Sequence, residues 1–350
     1  MRILHIIDAK AYREGRKYFT EFVRALGDAK ASQQIFSTVD IPELSGRVEI
    51  KKIKTASDGN LDTFGNRIKF FLSSIEFFPS VVIKWGRAAR DFPVPDRFMQ
   101  MSFLRDGETA AGIKKSDYVL SFSQAAFEHA QTHGFSAGKT YLFPHFVYDY
   151  NNAKPTTLRD IFIPEKASFA YIAGYFAKNN SWEELFEALS AVPMMYFIIS
   201  GFGDAKEYIE GKAQSYNIKS RCRFVDDPAK SLDIARLSRI AILPRGAEEQ
   251  ELRIKESRVA GQIPIAFDSP TARALIKDGL DGFILPNRDV YAIRKKLKDI
   301  FANSAEELAP IAAQSAKKGA TTPTEKAAKG YIRELEMLLS RKRGRKKLMS

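Results

Sequence analysis

Residues 240–268 limit the fold more than any other part of this chain. Four apolar residues, Ile240-Ala-Ile-Leu243, run into Pro244; a mixed charged and apolar run follows from Glu248 to Val259; Gly261 ends it, and Ile263-Pro-Ile-Ala-Phe267 is apolar again. Short apolar runs bounded by turn residues suit strands buried on both faces, and the run between them has the length of a helix with acids in its first turn. The pattern predicts one strand-helix-strand unit, the building block of a parallel sheet. Glu248 and Glu256 stand eight positions apart, so the first falls in the loop before the helix and the second inside it. Open α/β sheets bind ligands in the crevice at the carboxyl ends of their strands, a place both acids can reach.

The same alternation extends along the chain. Strand signals at 2–7, 34–39 and 48–53, with a helical pattern over 18–26, open a first domain. A strand at 169–173 opens a second, and 194–200 continues it. The segment 151–165, with Pro155 and Pro164, is the linker, which places a first domain at 1–155 and a second at 156–324. A helix over about 325–340, with Thr324 as a candidate N-cap, is expected to cross back to the first domain, and 341–350 forms a basic tail. A chain of 350 residues suffices for two such domains, each with a full core. One cysteine, Cys222, excludes an internal disulfide framework and fits a reducing compartment. The opening residues read as a strand rather than a signal peptide, and no run nears the roughly 20 apolar residues of a membrane span. The expectation is a cytoplasmic protein, with peripheral attachment to the inner face of a membrane left open.

A formal charge of +13 calls for an anionic partner or for a role in solubility. Two readings are open for the tail Arg341-Lys-Arg-Gly-Arg-Lys-Lys347: a solvated end, or a segment that binds anionic lipid headgroups or nucleic acid. Residues 67–92 interleave aromatics with cations, a composition that fits either an interfacial helix or ordinary core. No recognition-helix, RRM or zinc pattern supports nucleic acid as a partner. His129 and His133 lie four apart on a predicted helix without a third ligand nearby, so they read as surface residues rather than a metal site.

Four segments resemble the group-1 retaining glycosyltransferases, glycosyltransferase family 4. They are Pro244 with Glu248 and Glu256; Lys277-Asp-Gly-Leu-Asp-Gly-Phe-Ile-Leu-Pro286; Gly174-Tyr-Phe-Ala-Lys-Asn-Asn-Ser-Trp-Glu-Glu-Leu-Phe-Glu-Ala-Leu189; and Gly201-Phe-Gly203 before Arg223-Phe-Val-Asp. In the first domain Lys115-Ser-Asp-Tyr-Val-Leu-Ser-Phe-Ser123 and Leu142-Phe-Pro-His-Phe-Val-Tyr-Asp149 are similar to family strands on the acceptor side. The resemblance implies a GT-B fold, with two Rossmann-like doubly wound α/β domains facing across a cleft. It implies transfer of a sugar from a nucleotide diphosphate to a hydroxyl, with retention, no cofactor and no metal. The acceptor suggested is a saccharide or a lipid-linked saccharide of the cell envelope.

By that resemblance Glu248 holds hydroxyls of the donor sugar and Glu256 holds the ribose, as catalytic-site acids. Gly174, Tyr175, Lys178, Asn180, Gly201, Gly203, Arg245, Glu249, Gln250, Glu251 and Leu252 take donor-binding positions. Gly15, Arg16, Glu108, Ser123 and His145 take acceptor-side positions. The sequence departs from the family where phosphate is held. Tyr175 and Asn180 replace an arginine and a lysine, Glu249-Gln250-Glu251 replaces Gly-Phe-Gly, and the first loop, 9–17, has a single glycine among its cations. Arg245, Arg253, Lys255 and Arg258 are the cations available to compensate. The departures leave a second reading, a glycosyltransferase-like binding or partner subunit that has lost catalysis.

Overall fold

The computed structural model describes residues 1–349 except 58, 105–112, 144–145, 149–155, 179–180, 193–194, 204, 226–230 and 246–248. Its elements run β1 (Arg2–Ile7), α1 (Ala9–Asp28), β2 (Ser32–Ser37), β3 (Glu49–Lys52), α2 (Phe64–Glu76), β4 (Val81–Trp85), α3 (Arg87–Asp91) and β5 (Met99–Phe103). There follow β6 (Tyr118–Ser121), α4 (Gln124–Thr132), β7 (Thr140–Leu142), β8 (Ser168–Tyr175), α5 (Trp182–Ser190), β9 (Met195–Phe202), α6 (Lys206–Ser215) and β10 (Cys222–Val225). The chain closes with α7 (Ser231–Ala235), β11 (Ile240–Leu243), α8 (Glu249–Val259), β12 (Ile263–Phe267), α9 (Pro270–Leu275), β13 (Phe283–Leu285), α10 (Val290–Ala302), α11 (Ala305–Ala320) and α12 (Ala328–Met349).

Two compact units result: residues 1–148 with 325–350, and residues 149–324. The first holds a seven-stranded sheet in the order β3-β2-β1-β4-β5-β6-β7, the second a six-stranded sheet in the order β10-β9-β8-β11-β12-β13. Every pairing between these strands is parallel. In both units the order reverses beside the first strand, which makes a switch point between β1 and β4 and another between β8 and β11.

In the first unit the loop expected at 9–17 is helix. Asp8 caps α1 by accepting a hydrogen bond from the Ala11 N–H (2.7 Å), so the helix starts at once after β1. Gly15 is only a kink within it, with φ −119° and ψ 22°. Beneath α1, His5 is fully buried among Phe19, Phe22 and Trp85. The Trp85 indole donates to His5 Nδ1 (3.2 Å), which leaves the ring proton on Nε2, facing Gln33 Oε1 (3.0 Å). Burial draws this imidazole down to about 4, so it stays neutral. The same unit buries Lys84, whose ammonium donates to the Phe92 carbonyl (2.9 Å) just past α3 and which burial draws down to about 8.

The basic tail is also helix, since α12 continues to Met349. It packs on the first unit: Tyr331 stacks on Phe143 with ring centroids 4.6 Å apart, Leu335 and Leu338 are fully buried, and Lys342 binds the carboxylate of Asp117. Thr324 does not cap α12; a short 3-10 turn, Glu325–Ala327, lies between them. The second unit is built around β8, β9, β11 and β12, with Trp182, Phe186, Phe197 and Phe267 fully buried on one face of the sheet. Cys222 lies in that core, where burial pushes its thiol up to about 12 and keeps it unreactive.

Candidate functional site

The switch point of the second unit gathers most of the donor-side candidates. β8 and β9 pair in register up to Gly174 with Gly201 and Tyr175 with Phe202. Past that point the chain at Phe176 crosses over the end of β9. A Cβ at Gly201 would lie 2.2 Å from the Gly174 carbonyl oxygen, and one at Gly203 (φ +140°) would lie 2.5 Å from the Phe176 carbonyl oxygen. Both glycines are therefore required by the close passage of backbone, whatever else they serve. The loop after β8 is held by Trp182, whose indole donates to the Tyr175 carbonyl (2.9 Å). Ser181 ties it to the loop after β11, its hydroxyl accepting from the Arg245 N–H (2.7 Å). Gly174 lets Pro244 approach from the same side. Two loops thus meet at the carboxyl ends of the two central strands, the position at which such sheets take ligands.

α8 rises from the second of these loops with a polar inner face. Gln250, Arg253, Glu256, Ser257 and Arg258 are all buried. Arg253 and Glu256, one turn apart, form an ion pair at 2.9 Å. Next to them is the fully buried Tyr171 of β8. Burial pushes its hydroxyl up to about 12, with the Arg253 charge opposing and the Glu256 carboxylate reinforcing that rise. Arg258 and Lys318 both bind the buried Asp281, at 2.9 and 2.6 Å, which fixes the far end of α8 to α11 and to the turn before β13.

The placement of each candidate separates structural duties from open ones. Gln250 uses both ends of its amide inside the protein, donating to the Phe267 carbonyl (2.9 Å) and accepting from the Ser269 hydroxyl. Leu252 is core. Glu251 is held by Lys255 (2.6 Å), which offsets the repulsion that a bare carboxylate would exert on a phosphate nearby. Of the four compensating cations, Arg253, Lys255 and Arg258 are engaged with Glu256, Glu251 and Asp281. Arg245 is half-exposed and lies 3.5 Å from Glu184. Lys178 is exposed, over the ring of Tyr208 at 5.4 Å. Arg245 and Lys178 are thus the cations this switch point presents outward among the described residues. Glu248 and Asn180 lie outside the described residues, as does the side chain of Glu249.

On the first unit the acceptor-side set takes local duties. Gly15 and Arg16 lie inside α1, with Arg16 bound to Glu43, which also accepts from the Tyr12 hydroxyl (2.6 Å). Ser123 caps α4 through the Ala126 N–H (3.1 Å). Glu108 and His145 lie outside the described residues. The rings of His129 and His133 stand 4.2 Å apart, and among the described residues no group of three potential ligands surrounds a metal position. Sequence reasoning missed Tyr171, Ser181 and Glu184, whose hydroxyls and carboxylate meet the site only through pairing of distant strands; only their location at or after the end of an apolar run hinted at it.

Residues 154–319 match the family model described as glycosyl transferases group 1. The second unit is thus similar to the group 1 glycosyl transferases over 154–319. Solved structures extend the likeness to the whole chain. A glycosyltransferase from Rickettsia africae is 14% identical with a TM-score of 0.74, over 96% of this chain and 97% of its own. WaaG, a glycosyltransferase involved in lipopolysaccharide biosynthesis, is 13% identical with a TM-score of 0.69, over 94% and 98%. HepE of Anabaena, in complex with UDP and glucose, is 14% identical with a TM-score of 0.70, over 96% and 99%. At these identities the likeness is one of fold, and the fold is GT-B. No curated protein matches the sequence at a significant level.

Proposed function

We propose that this protein is a retaining glycosyltransferase. It moves a hexose from a nucleotide-diphosphate sugar to a hydroxyl of a saccharide or lipid-linked acceptor, without a metal, in the synthesis of a cell-envelope glycan at the cytoplasmic face of a membrane. The observation that carries the reading is the buried Arg253–Glu256 pair on α8, beside the switch point of the glycosyltransferase domain. A buried carboxylate on a ligand-facing helix is suited to a ribose, whose two hydroxyls both donate. Its guanidinium partner fixes it in place, with Oε2 anchored at 2.9 Å. HepE, crystallised with UDP and glucose, supports a nucleotide-sugar donor, and WaaG supports an envelope role.

Transfer builds positive charge on the anomeric carbon and negative charge on the departing diphosphate. Here the diphosphate faces Arg245, Lys178 and the start of α8, whose N–H groups carry a partial positive charge. Glu248 orients the donor sugar. The protein gives up no electron pair of its own in this scheme: the acceptor hydroxyl forms the new glycosidic bond and its proton leaves toward the diphosphate.

The test is a thermal-shift series with nucleoside diphosphates and UDP-glucose. Ligand at 100 times its dissociation constant adds about 2.7 kcal/mol to the stability of the folded state. A shift with at least one nucleotide, lost in Glu256→Gln, is expected, and a product whose anomeric configuration matches the donor completes the assignment. A second reading, a non-catalytic binding subunit, is favoured by Tyr175 and by the internal pairing of three of the four compensating cations. Silence at millimolar nucleotide selects it.

A further inference from the structure

Helix α2 is set into the first unit the wrong way round for an ordinary surface helix. Its inner face consists of Asn66, Phe70, Ser73 and Ser74. Its outer face consists of Phe64, Ile68, Phe71, Leu72 and Ile75, continued by Phe78, each between 44% and 80% exposed. These positions follow the spacing of one helical stripe. Hydrogen bonds lock the rotation: the Asn66 amide accepts from the Lys54 N–H (3.0 Å) and donates to the carbonyls of Lys54 (2.7 Å) and Leu61 (2.8 Å). The Ser73 hydroxyl receives the Lys51 ammonium (2.8 Å). Turning the stripe inward would strand Asn66, so the outward apolar face is built in.

Cations border that stripe. Arg67 and Lys69 belong to α2 itself, and Lys52 and Lys54 precede it on the chain; all four are exposed. At its far end Arg97 donates to the Ser74 hydroxyl (3.3 Å) and covers the ring of Phe98. The carbonyl of the same Phe98 accepts from Lys342 of α12 (2.7 Å). Through Phe98 and its neighbour Arg97 the end of α12 that carries Arg341, Lys342 and Arg343 is linked to the end of α2 at Ser74; Arg345, Lys346 and Lys347 follow in the sequence. An apolar face and a polybasic end side by side are the two signals that together hold a protein on an anionic bilayer, where either alone holds it weakly.

We infer that α2 and the end of α12 form one docking surface for an anionic phospholipid bilayer, with Phe64, Phe71, Ile75 and Phe78 entering the acyl boundary and the arginines and lysines meeting the headgroups. This deepens the membrane location in the proposed function and does not depend on the donor chemistry. Charge complementarity selects the occupant: a second copy of a chain with net charge +13 would bring like charge to the same rim.

The experiment is flotation of the full chain with phosphatidylcholine vesicles, with and without phosphatidylglycerol. Binding is expected only when phosphatidylglycerol is present, and it falls as salt is raised. Phe71→Ser with Ile75→Ser lowers it by at least about tenfold, and Arg341→Ala with Arg343→Ala lowers it roughly 30-fold. All of these side chains are at the surface, so the nucleotide-induced thermal shift of the glycosyltransferase domain should persist in both variants. Absence of wild-type binding to anionic vesicles overturns the inference. So does equal binding by wild type and the α2 variant, and so does self-association that Phe71→Ser with Ile75→Ser abolishes without any vesicle binding. Loss of the nucleotide response with vesicle binding intact removes the proposed function and leaves the docking surface standing.

Discussion

Two helices, α2 in the first unit and α8 in the second, each carry the chain back between parallel strands, and each breaks the usual division of apolar inside from polar outside. α8 buries an arginine-glutamate pair, a second arginine and a glutamine. α2 buries an asparagine and two serines while presenting a row of phenylalanine, leucine and isoleucine. The departures run in opposite directions and imply opposite energetics. In α8 the polar groups are tied to one another and to the fold, so removing one is costly. In α2 the apolar groups touch little, so removing them leaves folding nearly unchanged and alters only what the surface meets.

The largest expected effect breaks the pair in α8. Arg253→Met leaves Glu256 buried without its guanidinium and should cost about 3–5 kcal/mol. The measurement is urea unfolding followed through Trp182 in a Trp85→Phe background, so that the signal reports on the second unit. Arg253→Met with Glu256→Met should recover most of that loss while abolishing the nucleotide-induced shift. Retention of the shift in the double variant would show the pair to be purely structural and remove α8 from the site.

Acid separates the units by a different route. His5 is kept neutral in the first unit, with its folded value drawn down to about 4 from an ordinary 6.5. Between those values the unfolded chain binds a proton that the folded chain does not, so stability rises with pH across the window and is lost as pH falls from 6.5 to 4. The full loss is roughly 3 kcal/mol. Followed through Trp85 in a Trp182→Phe background, His5→Gln should flatten this dependence; an unchanged slope would assign it to other groups.

A smaller effect belongs to the β9 turn. Gly201→Ala drives a methyl against the Gly174 carbonyl and should destabilise the second unit by about 1–3 kcal/mol, with or without nucleotide present. A loss seen only in nucleotide affinity would return Gly201 to a ligand-binding role. Smallest of all is Phe71→Ser with Ile75→Ser in α2, expected to stay within about 0.5 kcal/mol of wild type in chemical unfolding. A cost of several kcal/mol would mean that the stripe is covered in the folded protein, and the contrast with α8 would fail.

Strands β1, β2, β3, β8, β9, β11 and β12, their parallel arrangement and the helix between β11 and β12 were legible because short apolar runs between turn residues have few other uses. Three things were not. Residues 9–17 read as a loop because Gly15 and a cluster of cations look like loop chemistry, yet the Asp8 cap starts α1 directly and the helix absorbs the glycine as a kink. Gln250, Gly201 and Gly203 read as donor contacts, but the Phe267 carbonyl and the crossing at Phe176 give them structural work that only strand pairing reveals. In 67–92 composition left interface and core open; the structure makes β4 core throughout, while α2 turns an apolar face outward. Periodicity finds a stripe; only the partners of Asn66 say which way it points.

Tyr331, Leu335 and Leu338 complete the interior of a unit whose other residues end at Tyr148. During synthesis the aromatic floor at Phe22 and Phe143 therefore stays uncovered until some 180 further residues have left the ribosome. The second unit can finish folding while its neighbour is still waiting. A truncation before residue 328 should yield a folded second half attached to an insoluble first one.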